Sequence, residues 1–396
     1  MAGRLVELPE GELVVDCTAE GVVFVEADAD TGLEELGQPL LPPYPCVEEH
    51  LCDPGDTQVV VGKPLVFLQV TRLKHEAFVL GLHICHSLCD GFGVFKFIKA
   101  LCDIASGETA PAVIPLWGRE LFTSSLAPRI TRTHLPYEPL AGATAAADVD
   151  VVQSTPPQDM VGRYFFGPAE ISALRSHLIP VPSQQQLSRG PVPAATTTRP
   201  TTAFELLAAA TWKCRTAALG YAPDERVRLM FTCNSRRSWK RDPPVPEGFY
   251  GCAVVLTVAE TTAGDLRGVP LGGAVELVRR AKFDVCDEYV RSTADLLAAR
   301  RWPPFVVDRT YVVSDITAVG EEKLDFGWAK RAGGGVPLAG DALSKLVSYF
   351  MRCKNAQGED CVAVPMYLPR SAMDRFAQEI SALLPGRSLS SLNTVS

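Results

Sequence analysis

A mixed α/β fold of sheets and helices, arranged in two domains, is predicted by three observations. Short apolar runs of strand length alternate along the chain with stretches of helical periodicity. A Pro-, Ser-, Thr- and Gln-rich stretch at 178–202 interrupts that alternation. The chain is 396 residues long, 47% hydrophobic and 21% charged, which is enough to bury two cores of ordinary size.

In the first half, Leu13–Val15 and Val22–Ala27 read as strands, and Gln58–Val61 with Leu65–Thr71 as a further pair. Cys46–Asp56 between them reads as a loop or short helix. Ala77–Cys85 (AFVLGLHIC) is a buried strand, apolar and free of Gly/Pro clusters. From Asp90 the period changes: Phe92, Phe95, Ile98, Leu101 and Cys102 recur at helical spacing, and the Asp90 carboxylate can cap the first turn. Trp117-Gly118-Arg119-Glu120 opens an irregular stretch to about Asp159. Val161–Phe166 then reads as a strand, and Gly167-Pro168 starts a helix over Ala169–His177. The stretch 178–202 has too few large apolar residues to offset its ordering entropy and reads as a mobile linker. The expected organisation is therefore a domain over 1–177, the linker, and a second domain over 203–396.

In the second half, Ala203–Leu219 has the pattern of a strong amphipathic helix. Arg226–Cys233 and Cys252–Val258 read as strands on either side of a loop stiffened by Pro243, Pro244 and Pro246. One long helix is expected over Leu271–Leu297, then an extended segment at Arg309–Val313. Asp325-Phe326-Gly327-Trp328 falls in a turn-rich region. Cys361–Tyr367 reads as a strand and Arg370–Leu384 as a closing helix, followed by a polar tail read as disordered.

The net charge of −8, with no long Lys/Arg run, argues against a nucleic-acid partner. No apolar stretch is long enough to span a bilayer, and the first residues lack a basic region followed by an apolar one. The twelve cysteines contain no Cys-x-x-Cys pair. Most lie in apolar runs, as Cys17, Cys102, Cys214 and Cys361 do, where a free thiol is a small hydrophobe. A reduced cytoplasmic protein with no metal and no membrane partner is expected.

The chemistry concentrates at His86-Ser87-Leu88-Cys89-Asp90-Gly91. His86 stands at a strand-to-helix corner, where a side chain is held rigidly yet faces open space. A neutral imidazole there accepts a proton near neutral pH. A histidine in a loop is more often a surface or hydrogen-bonded residue, so the corner alone does not make a base. His83, two strand residues before Cys85, reads as a packing residue.

The order His86-xxx-Asp90-Gly91, then Asp325-Phe326-Gly327-Trp328 far downstream, resembles the HxxxDG and DFGWG motifs of the BAHD family of plant acyl-CoA-dependent acyltransferases. Further segments resemble the family in order: Met1–Leu5, Val15–Phe24, Phe204–Leu207, Trp212–Arg215, Tyr250-Gly251 and Val313–Asp315. The resemblance covers nearly the whole chain and is nearest the subgroup of benzyl alcohol benzoyltransferases and taxane acyltransferases. It implies a two-domain CoA-dependent acyltransferase fold with a channel between the domains. It also implies a monomer with acyl-CoA as co-substrate, no permanently bound cofactor, and a small alcohol or amine acceptor. His86 would be the general base that activates the acceptor hydroxyl, and Asp90 its catalytic-motif partner, fixing the loop by pairing with an Arg of the second domain. Arg236 matches that Arg, with Arg237 as the fallback. Gly91 and Asp325, Phe326, Gly327 and Trp328 would support the site structurally, the last four beside the CoA entrance. Thr202 and Ser314 match positions near which the family binds coenzyme A.

Three departures from the family carry expectations of their own. Ala329 stands for the fourth motif glycine, in a turn where a positive φ is expected. Cys252 stands where the family has asparagine after Tyr-x-Gly, removing a donor and an acceptor. The family also carries a longer segment before the stretch matching Ala2–Leu5, without which strand edges and an incomplete acceptor pocket are expected. The alternative is accordingly an impaired paralogue that binds CoA or a ligand without turnover.

Overall fold

In the computed structural model the residues described are 1–9, 11–37, 40, 44–56, 59–140, 161–178, 200–236, 243–336, 347–355 and 358–384. The polar tail, Arg237 and nearly all of the 178–202 linker lie outside them. The first half holds a hairpin of β1 (Arg4–Glu7) and β2 (Leu13–Asp16), and a three-stranded sheet of β3 (Val23–Asp28), β4 (Val66–Arg72) and β5 (Phe78–Ile84). β4 is central, parallel to β3 and antiparallel to β5, with Val66 opposite Ile84. The expected strand at 58–61 is absent from the described part: Val61 makes a single bridge to Leu5 beside Gly62, whose positive φ of 74° turns the chain away. β5 runs into α1 (Gly91–Ala105), whose inner face closes over a small core of Leu5, Leu65, Val66, Leu68, Leu88 and Cys89.

The second half is built on a six-stranded sheet in the order β6-β11-β10-β9-β7-β8. Its strands are β6 (Val161–Phe166), β7 (Arg226–Asn234), β8 (Val254–Thr262), β9 (Thr310–Asp315), β10 (Val347–Lys354) and β11 (Asp360–Tyr367). β9 pairs in parallel with β7 and β10; the other pairings are antiparallel. The strand 161–166 is hydrogen-bonded along its whole length to β11, so it belongs with this sheet and not with the first domain, where its chain position had put it. The helix that follows it, α2 (Pro168–Ser176), packs against α3 (Ala203–Leu219) of the second half.

α3 is a helix, as its sequence suggests, but it is buried over most of its length and not on one face alone. Leu206, Leu207, Ala208, Ala209, Ala210, Trp212 and Cys214 are all buried, because the small Ala face lets a second layer approach. That layer is α4 (Ala263–Gly268), α5 (Leu271–Asp284) and the closing helix α7 (Arg370–Ala382). The helix expected over 271–297 is two: α5 ends at Asp284 and α6 covers Asp287–Ala299. Cys286 between them is extended (φ −128°, ψ 179°), and Asp287 and Glu288 fill the first turn of α6, where carboxylates favour a new helix start. No helix among the described residues is long and apolar enough to cross a membrane.

Candidate active site

The corner between β5 and α1 passes from exposed to buried residues. His86 and Ser87 are exposed, whereas Leu88 and Cys89 are fully buried and anchor the loop in the small core. Cys85 N–H donates to Leu65 O at 2.9 Å, and Leu88 N–H closes a turn onto Cys85 O at 2.9 Å. The imidazole is therefore presented outward from a loop pinned on both sides.

Asp90, 2% exposed, is the pin on the helix side. Its Oδ1 accepts from Gly93 N–H at 3.1 Å, capping α1, and from Arg236 Nη2 at 3.0 Å. Its Oδ2 accepts from Arg236 Nη1 at 2.7 Å and from Ala253 N–H at 2.9 Å. Arg236 stands in the turn after β7, where its N–H is held by Asn234 Oδ1, and its Nη2 also donates to Gly251 O at 2.6 Å. The guanidinium lies against the rings of Phe92 and Phe249. One buried, bidentate ion pair thus joins the His86 loop to the second half of the chain. With both oxygens held by four donors, the carboxylate fixes the loop's geometry.

Three further residues build the site: Arg119 and Gly93, to which the sequence assigns no role, and Cys252, which stands out there only as a departure from the family. Arg119, just after Gly118 in the left-handed region (φ 44°), donates from Nη1 to Ser87 O at 3.1 Å and from Nη2 to Leu88 O. It grips the motif from below and stacks on Trp117 at 4.0 Å. Such a bond spans some thirty residues and leaves no local pattern to read. Arg119→Ala is expected to loosen the loop and lower kcat by roughly tenfold, and Arg119→Lys to recover little, since one ammonium does not reproduce a two-carbonyl fork. Steady-state kinetics on the two variants checks this.

Gly93 is the second. A Cβ there would lie 2.0 Å from Tyr250 O and 2.5 Å from Cys89 Cβ, so the first turn of α1 must be bare to meet the Tyr250–Ala253 segment. Gly91, the motif glycine, has room: a Cβ would meet Ile316 and Val319 only at ordinary contact distance. Two glycines in one first turn, where they cost helix propensity, were the signal available in the sequence. Gly93→Ala is expected to lower stability by about 1–3 kcal/mol through overpacking. Gly91→Ala should stay within roughly 0.5 kcal/mol. Thermal unfolding of both separates the two.

Cys252 is the third. Its thiol donates to His86 O at 3.2 Å, and its Sγ lies 3.9 Å from His86 Nδ1. Burial pushes the Cys252 thiol up to about 12, with Asp90 adding to the effect, and burial does the same for Cys89. Both stay protonated at neutral pH.

Asp325–Trp328 stands elsewhere. Phe326 and Trp328 each pack on Phe78, at 5.6 Å between ring centres, and Trp328 Nε1 donates to Ala105 O at 3.2 Å. Gly327 takes a positive φ of 76° and donates to Asp325 Oδ1 at 2.8 Å. Ala329 is not in the left-handed region, so a side chain is accommodated there. The segment clasps the start of β5 to the end of α1 and, with Phe24, Leu68, Phe78 and Leu80, lines an apolar cavity of about 550 Å³. β5 runs from Phe78 to Ile84, roughly 20 Å at about 3.3 Å per residue, so Phe78 in the cavity wall and the His86 corner stand at opposite ends of this strand. Thr202 and Ser314 are held in the second half. Thr202 caps α3, accepting from Glu205 N–H at 3.2 Å, and Ser314 lies in β9 opposite Tyr349 of β10.

Comparison with known proteins follows the same outline. A family model described as "Transferase family" matches residues 1–383. The chain is 51% identical to acyl transferase 1 of Oryza sativa subsp. japonica, over 97% of this chain and 80% of that protein. It is 41% identical to a benzyl alcohol O-benzoyltransferase of Petunia hybrida, over 97% of this chain and 79% of that protein. Among solved structures, TRI101 of F. graminearum complexed with coenzyme A and T-2 mycotoxin superposes with a TM-score of 0.60 at 18% identity, over 94% of this chain and 84% of that one. That likeness shows a shared mixed α/β fold over 94% of this chain.

Proposed function

The chain belongs to the Transferase family, the BAHD acyltransferases, and on that premise we propose that it moves an acyl group from coenzyme A to the hydroxyl of a plant specialised metabolite, with His86 as general base. The observation that carries this reading is the His86 loop itself. An exposed imidazole is held on a corner whose carbonyls are gripped by Arg119 and whose helix end is bolted through Asp90 to Arg236. Positioning of that kind is what a general base needs and what a surface histidine lacks.

The chemistry balances on this residue alone. The imidazole takes the proton of the acceptor hydroxyl as its oxygen attacks the thioester carbonyl, and the tetrahedral intermediate collapses with cleavage of the C–S bond. The departing coenzyme A thiolate takes back the proton, and neutral His86 is restored. Arg236 and Arg119 act through the loop, and Asp325–Trp328 by bracing α1 against β5. Thr202 and Ser314 would lie toward the coenzyme. The petunia relative's name favours benzoyl or another aromatic acyl group on an alcohol, with hydroxycinnamoyl and acetyl groups as further donors. We place the enzyme in the cytoplasm as a monomer. We assign His86 to the first domain and Arg236 to the second.

The test offers benzoyl-, p-coumaroyl- and acetyl-CoA with a panel of alcohols and amines, following free thiol and the mass of the product. Ester formation with at least one alcohol is expected. Coenzyme A binding without product on any acceptor would point instead to a ligand-binding paralogue.

A further inference from the structure

We propose that Cys252 is a positioning residue that selects the tautomer of His86, holding hydrogen on Nδ1 and leaving Nε2 as the proton-accepting nitrogen. This inference rests on the proposed role of His86 and adds which nitrogen performs it.

The argument is one of donors and acceptors. A thiol has one hydrogen to give and sulfur lone pairs to receive with. The Cys252 hydrogen is given to His86 O at 3.2 Å. What the sulfur then presents to Nδ1, at 3.9 Å, is a lone pair, so the compatible ring is the one carrying hydrogen on Nδ1. The hydrogen bond made at one imidazole nitrogen decides the protonation of the other. Backbone and side chain of the same histidine are thus read by one sulfur, which fixes the ring's rotation as well as its tautomer.

The sulfur cannot drift from this place. Gly251 O on one side accepts from Arg236 Nη2, and Ala253 N–H on the other donates to Asp90 Oδ2. Both neighbours of Cys252 are therefore tied to the ion pair that also sets the His86 loop. Burial keeps the thiol protonated, so it is always the donor that this arrangement requires, and a thiolate nucleophile or acyl-cysteine is not its role. In water the neutral ring favours hydrogen on Nε2, which makes the effect of removing the sulfur readable.

The experiment is ¹⁵N NMR of the full chain with labelled histidine at about pH 8, above the ordinary imidazole pKa. His86 is assigned among the six histidines by its loss in His86→Gln. In the unaltered chain Nε2 of His86 is expected to be unprotonated and Nδ1 protonated. In Cys252→Ala the population should move toward Nε2–H. Turnover of that variant should fall roughly fivefold in kcat, with the KM for acyl-CoA within about twofold. Cys252→Ser, whose hydroxyl can donate to the carbonyl and accept from Nδ1–H, should recover most of the loss. A Nε2–H ring in the unaltered chain, or an identical tautomer in Cys252→Ala, overturns the proposal. If Cys252→Ala does not fold, the unaltered chain's spectrum decides alone. Failure of all acyl donors to react would overturn the acyltransferase reading and leave the tautomer measurement standing.

Discussion

Arg236→Met is expected to lower the free energy of unfolding by about 3–5 kcal/mol, because it leaves a buried carboxylate without its counter-charge. Asp90 is 2% exposed and Arg236 10%, so solvent does not take over the lost bonds. The carboxylate would keep only the amides of Gly93 and Ala253. Removing both charges, as in Asp90→Asn with Arg236→Met, should cost less than the sum of the single changes. A double-mutant cycle by denaturant unfolding reads that coupling. A single Arg236→Met with stability unchanged within roughly 0.5 kcal/mol would show that the pair does not carry the junction. Activity should fall with stability, on the order of a hundredfold in kcat. The same pair sets the Gly251–Ala253 segment beside His86, and small displacements of a base are costly.

His86→Ala should have the opposite profile. The side chain is exposed and its contact with Cys252 Sγ, at 3.9 Å, is long, so unfolding should change by no more than roughly 0.5 kcal/mol. Acyl transfer should fall by about 10²–10⁴, the range for loss of a positioned general base. The KM for acyl-CoA should change little, since the ring meets the acceptor's proton and not the coenzyme. Steady-state kinetics beside thermal unfolding distinguishes this from a collapse of the loop, which would move both readings.

The corner that carries His86 is legible because a short continuous apolar run gives way there to a 3.6-residue period, between Cys85 and Phe92. Asp90 as a cap followed from the same change, and its partner came from resemblance, since nothing local ties position 90 to position 236. What was not legible is what depends on contacts across the chain. β6 reads from its chain position as part of the first domain, whereas its register with β11 puts it in the second sheet. α3 kept a helical pattern, but a face of small alanines does not announce a second helix layer. The break at Cys286 interrupts a run whose period continues almost unchanged on both sides. Within the site, Arg119 and Cys252 act through carbonyl oxygens and a ring nitrogen, partners that leave no trace in residue type. Gly93 was the exception, since a second glycine in a helix's first turn had a cost that needed a reason.

The measurement that tests the central claim most directly is release of free thiol from acyl-CoA, followed with and without an alcohol acceptor, in the unaltered chain and in His86→Ala. Direct transfer by a His86 base requires thiol release that depends on acceptor in the unaltered chain and is lost in the variant, with no acyl group retained on the protein. Acceptor-independent release in a burst equal to the enzyme concentration, or acceptor-dependent release that survives in His86→Ala, would contradict it.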